Sequence, residues 1–433
     1  MSYEEGSVKT EYIDPVIFVP NQRCTFELDG SKMAYLPSMR ILNLGVITGG
    51  GNRNSYNRLL GACSVIKNIR LLDGKTELSA LRNPSQYLAF NNSMRTNADN
   101  KSSASFLKET QLGFECSTIS QKLSHVYPPP GSEPIATGKF NGLGYLDVRE
   151  VFSLLNSLPL LPTATFRNLK IEIELQAQGE VLITTSTDNT VVRPILAVDY
   201  IDDERLMMPM MKMFQQRGAR WNEIETDRIN IAGRNAASQP AGTVQSIQNQ
   251  SQGFIGKRVN KLLLVKTLVN SGEAQNAAVQ MGFGNAGSVA VLSQKTQYRL
   301  NGRNVYPGFE GVSRPNERLG ILTDEYGSQQ SYPGSMQYKW SNADVLMQTG
   351  AQAGANQPAS GKAFCGQLSY DCVRVGARVA DLNISISRVF DADAGTAATA
   401  PASTNLALNV FMFGEVDKQL VLRRDGSYAI SYV

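Results

Sequence analysis

The sequence is short of histidine, tryptophan and charge, and each shortage removes a class of function. The single histidine, His125, lies in a Ser-His-Val-Tyr-Pro-Pro-Pro stretch. Metal centres that need two or more histidines, His-Glu-x-x-His hydrolases among them, are therefore excluded. A Ser-His-Asp triad needs only one histidine, but no Gly-x-Ser-x-Gly elbow accompanies it, so the expectation is a structural or exposed loop residue. The five cysteines, Cys24, Cys63, Cys116, Cys365 and Cys372, are odd in number, widely spread and without a C-x-x-C pair. Neither a disulfide framework nor a zinc site is signalled, and reduced thiols in a cytosolic setting fit. Charged residues make up only 18% and the net charge is +4, with Lys and Arg scattered among acids. No electrostatic footprint for sequence-specific nucleic-acid binding results. No run approaches the roughly 18 apolar residues of a membrane span. The opening Met-Ser-Tyr-Glu-Glu-Gly is acidic and polar, so synthesis in the cytosol without secretion is expected.

What is present is β-type. After a polar arm, short runs of Val, Ile, Leu, Tyr and Phe recur, broken every ten to fifteen residues by Gly, Asn, Asp or Pro, the rhythm of a sandwich or barrel. Strands are expected at 24–28, 39–47 and 64–72, the last turning at Asp73-Gly74 into 75–78; Asp-Gly supplies the positive φ of a tight hairpin. Residues 168–176 alternate strictly, placing Leu169, Ile171, Ile173 and Leu175 on one buried face and Glu172 and Glu174 on a solvated one. Asp147 is placed to cap a short helix through Val148, Val151, Phe152, Leu154 and Leu155, halted by Pro159 and Pro162. Residues 202–220 hold Met207, Met208, Met210, Met211, Met213 and Phe214 among charges, with Pro209 interrupting. They read as a partly helical linker whose methionines pack under an interdomain joint or form an adaptable contact with a partner subunit. Further strands are expected at 229–231, 261–269, 279–281, 297–300, 380–389 and 406–413, and exposed low-complexity loops at 236–253, 349–361 and 392–404.

With 433 residues the chain exceeds one usual core, so two domains are expected. The halves echo each other: residues 33–45 resemble 259–272, and Asn68-Ile69-Arg70-Leu71-Leu72-Asp73-Gly74 resembles Gln297-Tyr298-Arg299-Leu300-Asn301-Gly302. A duplicated domain is the simplest account.

Motifs that could carry chemistry do not hold up in context. Gly282-Phe283-Gly284-Asn285-Ala286-Gly287 matches G-x-G-x-x-G, yet Ser288 to Leu292 continues as strand where a phosphate-binding helix should start. Gly138-Lys139-Phe140 lacks the spacing and the hydroxyl of a Walker A loop. Gly49-Gly50-Gly51-Asn52-Arg53-Asn54 reads as a strand connection. Lys418, Arg423, Arg424 and Asp425 read as a solvated face unless they pair between subunits. No catalytic, cofactor-binding or metal-ligating residue is assigned, and no enzyme activity is expected.

Three stretches carry a family resemblance: residues 64–74, residues 159–175, and Phe413-Gly414-Glu415-Val416-Asp417-Lys418-Gln419-Leu420-Val421-Leu422. They resemble the double jelly-roll major capsid proteins of polinton-like viruses and virophages. The resemblance implies an all-β chain of two tandem eight-stranded jelly-roll β-sandwiches with short helices in the connections. Its parts would be an arm at 1–20, a first jelly roll at 21–205, a linker at 206–222 and a second jelly roll at 223–433. It further implies a homotrimer of pseudo-hexagonal outline that tiles an icosahedral virion shell, meeting neighbouring capsomers, penton and minor capsid proteins. Insertions at 85–139 and 301–366 would supply trimer contacts and an outer tower, the two termini would tie capsomers together, and Tyr127, Tyr306, Phe309 and Tyr332 would be interface anchors. The alternative is a tandem β-sandwich receptor- or carbohydrate-binding protein, which would expose clustered aromatics, whereas Trp221 and Trp340 lie far apart in sequence.

Overall fold

The computed structural model describes residues 8–48, 60–92, 140–163, 165–177, 181, 189–231, 244–268, 291–306, 321, 324–326, 370–390, 408–423 and 427–433. They form four antiparallel sheets in two sandwiches.

In the first half, β1 (Val8–Ile13), β4 (Ala34–Thr48), β7 (Phe140–Asp147) and β11 (Ile195–Ile201) build one sheet in the order β1-β11-β4-β7. Two short strands lengthen it, β8 (Leu161–Pro162) beside β4 on the β7 side and β10 (Asn189–Val191) on the β11 side. The facing sheet runs β2 (Ile17–Val19), β3 (Arg23–Glu27), β9 (Leu169–Leu175), β5 (Ile66–Asp73) and β6 (Thr76–Arg82), in that order. The second half repeats the plan. Strands β12 (Ala219–Ile231), β19 (Leu408–Leu422), β14 (Arg258–Leu268) and β17 (Tyr370–Arg378) form one sheet in that order, and β20 (Tyr428–Tyr432) adds to β19 beyond the end of β14. Opposite lie β13 (Val244–Gln250), β18 (Leu382–Phe390), β15 (Val291–Leu300) and β16 (Arg303–Asn304).

Eight strands of each half correspond in both chain order and sheet order. Strands β1, β3, β4, β5, β6, β7, β9 and β11 map onto β12 to β19 in sequence, so β1-β11-β4-β7 matches β12-β19-β14-β17 and β3-β9-β5-β6 matches β13-β18-β15-β16. The two sequence echoes fall on β4 and β14 and on the β5–β6 and β15–β16 hairpins, in equivalent places. Each half is built on eight corresponding strands in two facing sheets of four, a jelly roll, to which β2, β8 and β10 are added in the first half and β20 in the second.

Local sequence explains the elements. Strand β9 buries Leu169, Ile171, Ile173 and Leu175 and turns Lys170, Glu172 and Glu174 outward. Gly74 takes φ +61° at the hairpin tip. Asp147 caps as expected by accepting from Arg149 N, but the helix is two pieces, a 3-10 turn at Val148–Glu150 and α2 (Ser153–Ser157). An earlier helix, α1 (Pro84–Phe90), is buried along its length and starts on Pro at its first position. The linker is a full helix, α3 (Glu204–Arg217), capped by Asp203 and containing Pro209 in its second turn. Met207 and Met211 pack on Ala34 and Leu160 of the first half, whereas Met208 and Met213 are exposed.

Two expectations change. Residues 244–250 lie within the stretch expected as an exposed loop, yet they pair along their whole length with β18. Gln, Ser and Asn make a poor core, but a strand at the end of a sheet needs only its backbone bonds. Residues 8–19, expected in the arm, supply β1 and β2, outer strands of both sheets of the first sandwich.

Candidate assembly site

The sheet β12-β19-β14-β17 is buried on both faces. On β14, Leu262 and Leu264 point into the core of the second sandwich while Leu263 and Val265 join the core of the first. On β19, Val410 and Met412 face one way and Phe411 and Phe413 the other. That is why both strands read as continuous apolar runs instead of alternating. The first jelly roll meets this sheet through β6, α1 and α2. Tyr87 and Phe413 lie 5.4 Å apart with rings tilted by 51°, Phe166 lies 6.2 Å from Phe214 and 5.2 Å from Tyr428, and Phe90 meets Tyr326 edge-on at 5.1 Å. The two jelly rolls thus share a core and act as one body.

A carboxylate sits inside this seam. Glu223 on β12 is 2% exposed and accepts from three donors: Trp221 Nε1 at 2.5 Å, Ser79 Oγ at 2.8 Å and Ala80 N at 3.0 Å. Two of these belong to β6 of the first jelly roll. Burial pushes the Glu223 carboxyl above its ordinary range, against the pull of Lys418 and the three hydrogen bonds. Two residues on, burial works the same way on Glu225, but Lys257 at 2.5 Å, Lys418 at 3.1 Å and the Tyr432 hydroxyl at 2.7 Å outweigh it and hold Glu225 below its ordinary range. Lys418, expected on a solvated face, is therefore a largely buried partner within the chain, because β19 runs through the middle of the sheet.

The C-terminal strand closes the seam. Tyr428 donates to Asp73 at 2.9 Å across the two halves, Tyr432 donates to Glu225, and Val433 N donates to Asp417 O at 3.1 Å. The C-terminus, expected to tie neighbouring capsomers together, bonds within its own chain over residues 428–433. Between β20 and the β5–β6 hairpin lies an open cavity of about 720 Å³ lined by Asp73, Glu77, Arg167, Lys418 and Tyr428.

The outer faces differ from the seam. On the β3-β9-β5 face, Glu174 pairs with Lys67, Glu172 with Arg70 and Lys170 with Glu27, each at 2.6 Å, the solvated, self-paired surface expected of Glu172 and Glu174. On the outer side of β1-β11-β4, Asp199 accepts from Thr10 at 2.6 Å and Arg40 at 3.3 Å. Large apolar side chains exposed to solvent include Tyr12, Val16 and Ile17 in the first jelly roll and Ile255, Val305 and Val421 in the second. Of the four expected anchors, Tyr127, Phe309 and Tyr332 lie outside the described residues. Tyr306 packs inward, its ring 5.8 Å from Tyr298 and its hydroxyl donating to Cys372 O at 2.7 Å. His125, the Gly282 to Gly287 motif and the glycine stretches at 49–51 and 138 also lie outside them.

Among the described residues no group of three or more His, Cys, Asp or Glu gathers as for a metal. Cys24, Cys63 and Cys372 are buried, and burial raises the Cys24 thiol to about 12, far from a reactive thiolate.

Two fused jelly rolls with equivalent strand orders define the double jelly-roll fold, the architecture of a group of viral major capsid proteins. Three solved structures share it with this chain. The protein of the PBCV-1 virus capsid matches with a TM-score of 0.53 and 12% identity, over 100% of this chain and 99% of that one. The mavirus major capsid protein matches at 0.53 and 10% identity, over 100% and 91%. The Faustovirus major capsid protein matches at 0.50 and 8% identity, over 98% and 92%. No family model and no curated protein matches the sequence.

Proposed function

We propose that this chain is a major capsid protein: a non-catalytic tile that assembles into pseudo-hexagonal homotrimers on an icosahedral virus shell. The observation that carries this reading is the fusion of two equivalent jelly rolls through one shared core. A rigid pair of similar blocks lets three chains present six similar units around a ring, a closed assembly built from one repeated contact. Full-length agreement with three viral capsid proteins supports it. A binding module would need an open aromatic groove, but Trp221 is 4% exposed and its indole N–H is spent on Glu223.

The domain division that follows is a first jelly roll up to Ile201, α3 as the joint, and a second jelly roll from Ala219. Neighbouring capsomers, penton proteins and minor capsid proteins are the partners, the virion is the destination, and synthesis takes place in the host cytoplasm. Light scattering on the purified chain tests the reading: a mass three times that of the monomer is expected, and a persistent monomer overturns it.

A further inference from the structure

The two jelly rolls are copies, yet the chain treats their corresponding faces differently. In the second, the outer face of β12-β19-β14-β17 is mostly apolar, with Trp221, Leu263, Phe411 and Phe413 around the single buried carboxylate Glu223, and is buried against β6 and α1 of the first. The corresponding face of the first is the outer side of β1-β11-β4-β7. Because Leu196 and Val198 point into the core, Thr10, Tyr12, Asp199, Arg40, Tyr145 and Asp147 point away from it. Tyr12 there is 68% exposed. The charges pair within the face, Arg40 with Asp199 at 3.3 Å and Arg149 with Asp147 at 2.5 Å, Asp199 also accepts from Thr10, and Arg40 Nε is buried without an acceptor.

A ring of six similar blocks closes only with six similar contacts. In a trimer of this chain three of them are the seams inside each chain, and the other three must use the corresponding surfaces. Resting on the trimer reading, we propose that the outer face of β1-β11-β4-β7 receives the neighbouring copy, and that the edge it receives is the counterpart of β6, namely β16 and the residue after it. The chemistry of the two surfaces is complementary. Arg303 on β16 is exposed and would add a positive charge beside the Arg40–Asp199 and Arg149–Asp147 pairs, joining their carboxylates in a wider ionic network, and exposed Val305 offers an apolar partner to Tyr12. The seam inside the chain is a core of aromatic and aliphatic side chains built around one buried carboxylate, Glu223, and formed with the fold. The contact between copies is tyrosine, hydroxyl and ion pairs, the composition of an interface made between chains that are already folded. It should weaken with salt.

The test compares the wild type, Tyr12→Lys, Arg303→Glu and a control, Thr25→Lys, by sedimentation velocity at one protein concentration. Thr25 lies on the opposite sheet beside Glu172, where a lysine is tolerated. Tyr12→Lys and Arg303→Glu should each lower the trimer-to-monomer ratio by about tenfold or more, with unchanged circular dichroism because both side chains are exposed, and Thr25→Lys should leave it unchanged. Wild-type ratios in both variants, or dissociation by Thr25→Lys alone, overturn this surface while the trimer stands. A monomeric wild type removes the trimer reading itself.

Discussion

At the scale of single residues, the seam depends on groups whose chemistry is set by burial. Glu223 is a carboxyl in an almost dry site, so its folded form holds a proton to higher pH than its unfolded form does. Its contribution to stability is whole below the ordinary carboxylate range, about 4.3, and is lost as pH rises through the raised folded value. Glu223→Gln has no such dependence. The unfolding free energy of the variant relative to wild type should therefore rise as pH increases from the ordinary carboxylate range of about 4.3, whatever the offset at lower pH; a constant difference would contradict the assignment. Gly218 carries a backbone constraint instead. It ends α3 with φ +63°, and a Cβ there would strike the carbonyl of Leu420. Gly218→Ala should cost more than about 2 kcal/mol in urea unfolding, since the left-handed strain and the backbone collision both remain.

At the scale of elements, β20 works as a clasp. It extends the second jelly roll, covers Leu420 and Phe166, and bonds to the first through Tyr428 and Asp73. Tyr428→Phe should cost about 1 kcal/mol. A chain ending at Arg423 should lose clearly more and expose enough apolar surface to bind a hydrophobic dye, and unchanged stability of the shortened chain would show that β20 is dispensable. The elements also show what was legible in the sequence. Strand β9 could be read outright because one of its faces is buried and the other is wet, and the β5–β6 turn because Asp73-Gly74 has few other uses. Strand β12 could be read only at residues 229–231. Its Trp-Asn-Glu-Ile-Glu stretch looks like a solvated strand, and nothing local reveals that β6 arrives from 144 positions away to bond Glu223. Strand β13 was hidden for the opposite reason: glutamine and asparagine give no hydrophobic period, and backbone pairing alone holds them in register. The unbroken runs Leu262 to Val265 and Val410 to Phe413 were the one available sign of a sheet covered on both sides.

At the scale of the whole molecule, the weak echoes between the halves turn out to lie on equivalent strands, so internal duplication was visible before the fold was. The assembly surface was not visible, because an interface is a juxtaposition of separate segments, and Tyr306, chosen for its aromatic ring, is spent inside the second core. On the proposed reading this chain is a tile, its function lying in shape and self-contact. Electron microscopy of the purified full chain tests that most directly. The account predicts averaged views with a hexagonal outline and three-fold rotation, each edge of the ring one jelly roll; compact two-lobed particles of a single chain at every concentration examined would contradict it.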